Sequence, residues 1–219
     1  MIKAFLFDLN GTMINDMQYH IDAWHIILND LGANFTIEQT TQECYGTSQE
    51  MFARIFPNKF SVTEINNIRD KKEKAYQKAY LPHLKLIDGL QKFLEEAKKQ
   101  NIKMAIGSAA MLYNVDFVID NLKIRQYFDA IISADDVEKS KPDGETYEKC
   151  AAALGVRTYE CIVFEDVPKG VESAANADIL CIVIEGKHYT KAAFDHFTNI
   201  ISFEKDYKEI EINTLVKNN

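Results

Sequence analysis

The chain has 219 residues, 47% of them hydrophobic, 11% aromatic and 26% charged, a composition that excludes disorder, collagen-like repeats and low-complexity sequence. Its length, roughly one and a half times a domain of about 150 residues, fits one domain with a sizeable insertion or two modest domains. The net charge of -8 argues against nucleic acid or an anionic membrane as the main partner, and no apolar run approaches the roughly 18–20 residues that span a bilayer.

Residues Ile2 to Phe7 form a nearly continuous apolar run that ends at Asp8. This predicts a short strand buried on both faces of a parallel sheet, and it is too short for a signal-peptide core. The polar turn Asn10-Gly11-Thr12 follows. From Met17 to Leu31 the apolar residues Ile21, Trp24, Leu28 and Leu31 fall at helical spacing, with Gly32 as a C-terminal cap. Further helices are expected at about 37–44, 48–56 and 62–80. The last contains RDKKEKAYQKAY, whose charges read as a solvated face. This first third shows no strand pattern.

After Pro82 strands and helices alternate. A helix at about 88–100 precedes the strand KMAIGS, and a helix near 112–122 precedes AIIS. The helix GETYEKCAAALG leads to CIVFED, PKGVESAANA leads to LCIVIE, and a last apolar piece, NIIS, precedes a charged C-terminal segment. Such alternation means βαβ units, right-handed crossovers and a parallel sheet. The first strand belongs to that sheet but is separated from it by helices. The predicted architecture is therefore an α/β core with a doubly wound parallel sheet (residues 1–15 and 84–219) and an inserted all-helical cap (16–83). The cysteines Cys44, Cys150, Cys161 and Cys181 lack metal-type spacing and read as reduced thiols of a cytoplasmic protein.

In open parallel sheets ligands bind beyond the carboxyl ends of the strands. Those ends carry Asp8-Leu9-Asn10-Gly11-Thr12, then Gly107-Ser108-Ala109, then Glu165-Asp166, and the loop Ser140-Lys141-Pro142 adjoins them. Singly, each has an ordinary explanation: Asp8 as a turn residue, Ser108 as a helix cap, Lys141 as a solvated charge. An acid, a hydroxyl, a lysine and an acidic pair at one sheet edge, in this order, point instead to a reaction centre.

FDLNGT, GSAA, SKPDGETY and FEDVPKGVESAANA resemble the four successive motifs of the haloacid dehalogenase superfamily. The helical insert after the first motif resembles that of its β-phosphoglucomutase and small-phosphatase branch. The likeness covers essentially the whole chain and implies a Mg²⁺-dependent phosphatase acting on a small phosphorylated metabolite, as a monomer, without nucleic-acid or membrane partners. In that reading Asp8 is the nucleophile that forms an aspartyl-phosphate. Asp8, Glu165, Asp166 and the main-chain carbonyl of Asn10 would hold the ion. Ser108, Ala109 and Lys141 would hold the phosphoryl oxygens. His20, Trp24, Gly46, Thr47 and Gln49 in the insert would contact substrate.

The sequence departs from the family pattern in three places. Asn10 stands where phosphatases and mutases of the family normally have a second aspartate that acts as general acid and then base. An amide has nearly the same shape but cannot deliver a proton, and losing such a group costs about 10²- to 10⁴-fold in rate. A weak or silent enzyme, another proton carrier such as His20, or a substitution that preserves binding would each account for it. In CYGTSQE the positions of the mutase's lysine and arginine are Tyr45 and Gln49, so the fork for a second phosphate is absent. The run Ala109-Ala110-Met111-Leu112 is also less polar than in the mutase. A monophosphate hydrolysed once fits better than a phosphosugar mutase; a silent phosphometabolite-binding protein is the non-enzyme alternative.

Overall fold

The computed structural model describes residues 1–186 and 189–217. The chain divides into two units, one of residues 1–15 and 85–219 and the other of residues 16–84.

The first unit is built on a six-stranded sheet: β1 (Ala4–Phe7), β2 (Lys103–Gly107), β3 (Ala130–Ile132), β4 (Cys161–Glu165), β5 (Leu180–Ile184) and β6 (Ile200–Glu204). All pairings are parallel, in the order β3-β2-β1-β4-β5-β6. Its helices are α5 (Leu90–Lys99), α6 (Leu112–Asn121), α7 (Glu145–Leu154), α8 (Pro168–Asn176) and α9 (Ile212–Lys217). The second unit holds α1 (Met17–Asp30), α2 (Ile37–Glu43), α3 (Ser48–Ile55) and α4 (Val62–Tyr80), and no strand occurs among its residues.

Because β1 is central, both of its faces are buried, which is why its sequence is apolar throughout rather than alternating. Phe5 and Phe7 point to one face, where Phe7 stacks on Phe164 at 4.8 Å and Phe93 of α5 and Tyr207 close the cluster. Ala4 and Leu6 point to the other, where they join Val163, Tyr147, Cys150, Ala151 and Val171 in a core under α7 and α8. Gly107 at the end of β2 lets α7 come close: a Cβ there would lie 3.0 Å from Cys150 Sγ and 3.1 Å from a Tyr147 ring carbon. Cys150, Cys161 and Cys181 are buried and unbridged, and Cys44 is half-buried. No helix among the described residues is long and apolar enough to cross a membrane.

In the helical unit, Trp24, Leu28, Met51, Phe52, Phe56 and Ile65 form a separate core. Three of its helices begin with reciprocal caps, Thr36 with Gln39, Thr47 with Glu50 and Ser61 with Glu64. The charged run on α4 is not uniformly a solvated face, a correction to the sequence reading. Lys72 is 3% and Glu73 9% exposed, because the two pair at 2.8 Å and the ammonium also lies 5.3 Å from the Trp24 ring centre. The C-terminal segment, read only as charged, contributes Tyr207 to the aromatic core and ends in α9.

Candidate active site

The chain runs from β1 to β2 and β3 on one side and resumes with β4 on the other, so the strand order reverses between β1 and β4. Phe7 and Phe164 are register partners, and the Asp8 N–H donates to the Phe164 carbonyl at 3.0 Å. The residues that follow, Asp8 after β1 and Glu165 at the end of β4, are therefore level with one another. Asp166 comes next in the chain. One carboxylate oxygen from each of Asp8, Glu165 and Asp166 lies within 4.8 Å of the others, and all three residues are buried.

Among the described residues one ammonium faces this group. Lys141 Nζ donates to Asp8 Oδ1 (2.7 Å), Glu165 Oε1 (2.6 Å) and the Tyr147 hydroxyl (2.8 Å). Burial disfavours its charge, but Asp8 and Glu165 outweigh burial and hold the lysine protonated, above its ordinary pKa. The Tyr147 hydroxyl donates to Glu165 Oε1 at 2.7 Å and is pushed far above the usual phenol range, by burial first and then by Glu165 and Asp8. It is a neutral donor. Tyr147 was not singled out in the sequence, since its spacing marks only a core position on α7. Tyr147→Phe removes a hydrogen bond to a charged group and should lower stability by about 1–3 kcal/mol in thermal unfolding.

Among the described residues the site carries more negative than positive charge. Burial, then the charges of Glu165 and Asp8, push the Asp166 carboxyl well above the ordinary range, although the Thr12 hydroxyl donates to its Oδ1 at 3.2 Å. Three carboxylates against one ammonium form an oxygen-only donor set of the kind that suits a hard divalent cation. Glycines make the room. Gly11, at φ 87°, would place a Cβ 2.0 Å from Asp166 Oδ2, and Gly170 of α8 would place one 1.8 Å from the Glu165 carboxyl carbon. The residues present thus fit a metal ion. Gly170→Ala must displace the Glu165 carboxylate, and Mg²⁺ affinity measured by calorimetry should fall about 10- to 100-fold, the usual cost of disturbing a ligand's support.

Asn10 is half-buried at the turn after β1, where it bridges to Ile14 and the Gly11 N–H donates to the Ile14 carbonyl at 2.8 Å. Ser108 is buried after β2. Its N–H donates to the Ile132 carbonyl (2.9 Å) and its hydroxyl accepts from the Ala110 N–H (3.0 Å), which shapes the turn carrying exposed Ala109.

The remaining predicted residues lie in the helical unit. His20 Nδ1 is 2.7 Å from Lys72 Nζ and its Nε2 is 3.4 Å from Asp16 Oδ2, with the ring stacked on Tyr76 at 3.7 Å. An ammonium only donates, so Nδ1 accepts and the ring proton is assigned to Nε2, facing Asp16. Burial lowers the Lys72 pKa, against the opposing pull of Glu73. Lys72, Glu73 and Asp16 are thus a buried polar cluster that the sequence reading did not single out, Lys72 and Glu73 being hidden inside a run of like-looking charges. Trp24 packs edge-on to Phe52 at 6.0 Å. Gly46 and Thr47 open α3, Thr47 as its cap, and Gln49 donates to Asn66 Oδ1 at 3.3 Å. Tyr45 lies under the Arg54 guanidinium, 3.7 Å from its carbon.

Residues 5–184 match the haloacid dehalogenase-like hydrolase family. A haloacid dehalogenase-type hydrolase of family IA, variant 3, from Entamoeba histolytica superposes with a TM-score of 0.89 at 27% identity, covering 98% of each chain. The Escherichia coli fructose-1-phosphate phosphatase YqaB is 27% identical, over 80% of this chain and 92% of that protein. The β-phosphoglucomutase of Bacillus subtilis is 26% identical, over 83% of this chain and 82% of that protein.

Proposed function

The chain belongs to the haloacid dehalogenase-like hydrolase family, whose members similar to it include phosphatases and a phosphoglucomutase, and from that premise we propose a Mg²⁺-dependent phosphatase acting on a small phosphorylated metabolite through an aspartyl-phosphate. One observation carries this reading: three buried carboxylates from the ends of β1 and β4 converge within 4.8 Å against one ammonium.

An Asp8 carboxylate oxygen attacks phosphorus, the bond to the leaving oxygen breaks, and water later releases phosphate from Asp8. Lys141 fixes the Asp8 carboxylate through Oδ1 and offers positive charge where the phosphoryl oxygens gather. Ser108 and the backbone around Ala109 are the candidates for holding those oxygens. Asp8, Glu165, Asp166 and the Asn10 carbonyl would bind Mg²⁺, which when bound offsets the repulsion between carboxylate and phosphate. The names of the relatives support a phosphorylated carbohydrate as the substrate class. Substrate contact is assigned, on the resemblance, to His20, Trp24, Gly46, Thr47 and Gln49. A mutase is the weaker reading, since Tyr45 and Gln49 replace the cationic fork for a second phosphate, and Arg54 is held by Glu43 and by the Glu43 and Tyr45 carbonyls. Turnover of p-nitrophenyl phosphate with and without Mg²⁺, by this chain and by Asn10→Asp, tests the proposal; no turnover by either chain under either condition sinks it.

A further inference from the structure

Asn10 has a consequence for substrate choice, and the argument rests on the phosphatase reading above. Phosphoryl transfer to Asp8 forms an Oδ–P bond and breaks the P–O bond to the leaving group, whose oxygen takes the electron pair. An alkoxide, as from a sugar phosphate, must receive a proton as it departs; a carboxylate or nitrophenolate leaves as a stable anion. In the second step water attacks phosphorus, the electron pair returns to Asp8, and the water must lose a proton. That proton has no carboxylate to go to at position 10.

The polar groups near the acidic cluster, among the described residues of the α/β unit, already have partners. The Thr12 hydroxyl donates to Asp166, Tyr147 donates to Glu165, and Lys141 spans Asp8, Glu165 and Tyr147. The Ser108 hydroxyl accepts from the Ala110 N–H. The carboxylates of Glu165 and Asp166 belong to the proposed cation site. Among these described residues none is a carboxylate or imidazole outside the proposed cation site that could serve as replacement acid and base.

We infer that this chain accepts phosphoryl groups from acyl and aryl phosphates, whose leaving groups need no proton, and holds them on Asp8, while alkyl phosphates load it poorly. With acyl phosphates only the second step is slowed, so phospho-Asp8 accumulates. With alkyl phosphates the first step is slowed as well.

The test incubates the full chain with Mg²⁺ and acetyl phosphate, p-nitrophenyl phosphate or glycerol phosphate, followed by acid quench and intact mass. Acetyl phosphate should add one phosphoryl group, absent in Asp8→Asn, and p-nitrophenyl phosphate should give a burst of one nitrophenolate per chain. Glycerol phosphate should give little label. In Asn10→Asp the label should decay about 10²-fold faster and glycerol phosphate should be turned over. Three results overturn the inference: equal labelling by glycerol phosphate, a lifetime unchanged in Asn10→Asp, or a short lifetime that lengthens only in His20→Ala. Absence of label overturns it too; the phosphatase reading then survives if either chain turns over p-nitrophenyl phosphate, and falls with it if neither does.

Discussion

Asn10→Asp should raise steady-state turnover of p-nitrophenyl phosphate by about 10²-fold or more, the lower end of what a positioned acid–base group contributes. Lys141 and the Glu165-Asp166 pair already converge on Asp8, the proposed nucleophile, so on that proposal the substitution adds only a proton carrier. Mg²⁺ and substrate affinities should change little, because amide and carboxylate have nearly the same shape and the ion is assigned to the main-chain oxygen. The rate should then follow an ionisation that the present chain lacks, falling as pH drops below the pKa of the new carboxylate. If His20 already moves the proton, Asn10→Asp gives only a small gain and His20→Ala removes most of the activity. Assaying both variants on one aryl phosphate separates the two outcomes.

Asp166→Ala should abolish Mg²⁺ binding. Asp166 shares its buried site with Glu165 and Asp8, and burial together with repulsion from those two charges raises its carboxyl pKa. A ligand that binds only the folded state stabilises it by about 2.7 kcal/mol at a concentration one hundred times its Kd. Mg²⁺ should therefore raise the melting temperature of the unaltered chain and leave that of Asp166→Ala unmoved. The metal-free variant should lose little stability, since the deletion removes like-charge repulsion along with the 3.2 Å hydrogen bond from Thr12. Calorimetry showing undiminished Mg²⁺ affinity in Asp166→Ala would reject the assigned ligand set.

The α/β alternation was legible because buried parallel strands leave short apolar runs, of which Ile2–Phe7 and the stretch ending at Glu165 are the plainest. Placement at strand ends alone brings Asp8 and the Glu165-Asp166 pair to one edge of such a sheet. What stayed hidden depends on contacts distant in sequence. Tyr147 reads as a core residue on α7, and only the fold brings its hydroxyl onto Lys141 and Glu165. Lys72 reads as one lysine among several, and its burial follows from packing on Trp24 and pairing with Glu73. Gly11 and Gly170 carry no chemistry of their own, yet both clear space for the carboxylates.

The most direct test follows p-nitrophenyl phosphate turnover by Asn10→Asp while Mg²⁺ is titrated in and then withdrawn with a chelator, with an Asn10→Asp, Asp8→Asn double variant alongside. The assembled site of Asp8, Lys141, Glu165 and Asp166 requires turnover that saturates with Mg²⁺, stops on chelation and is missing from the double variant. Turnover that persists in the chelator, or in the chain lacking Asp8, would contradict it.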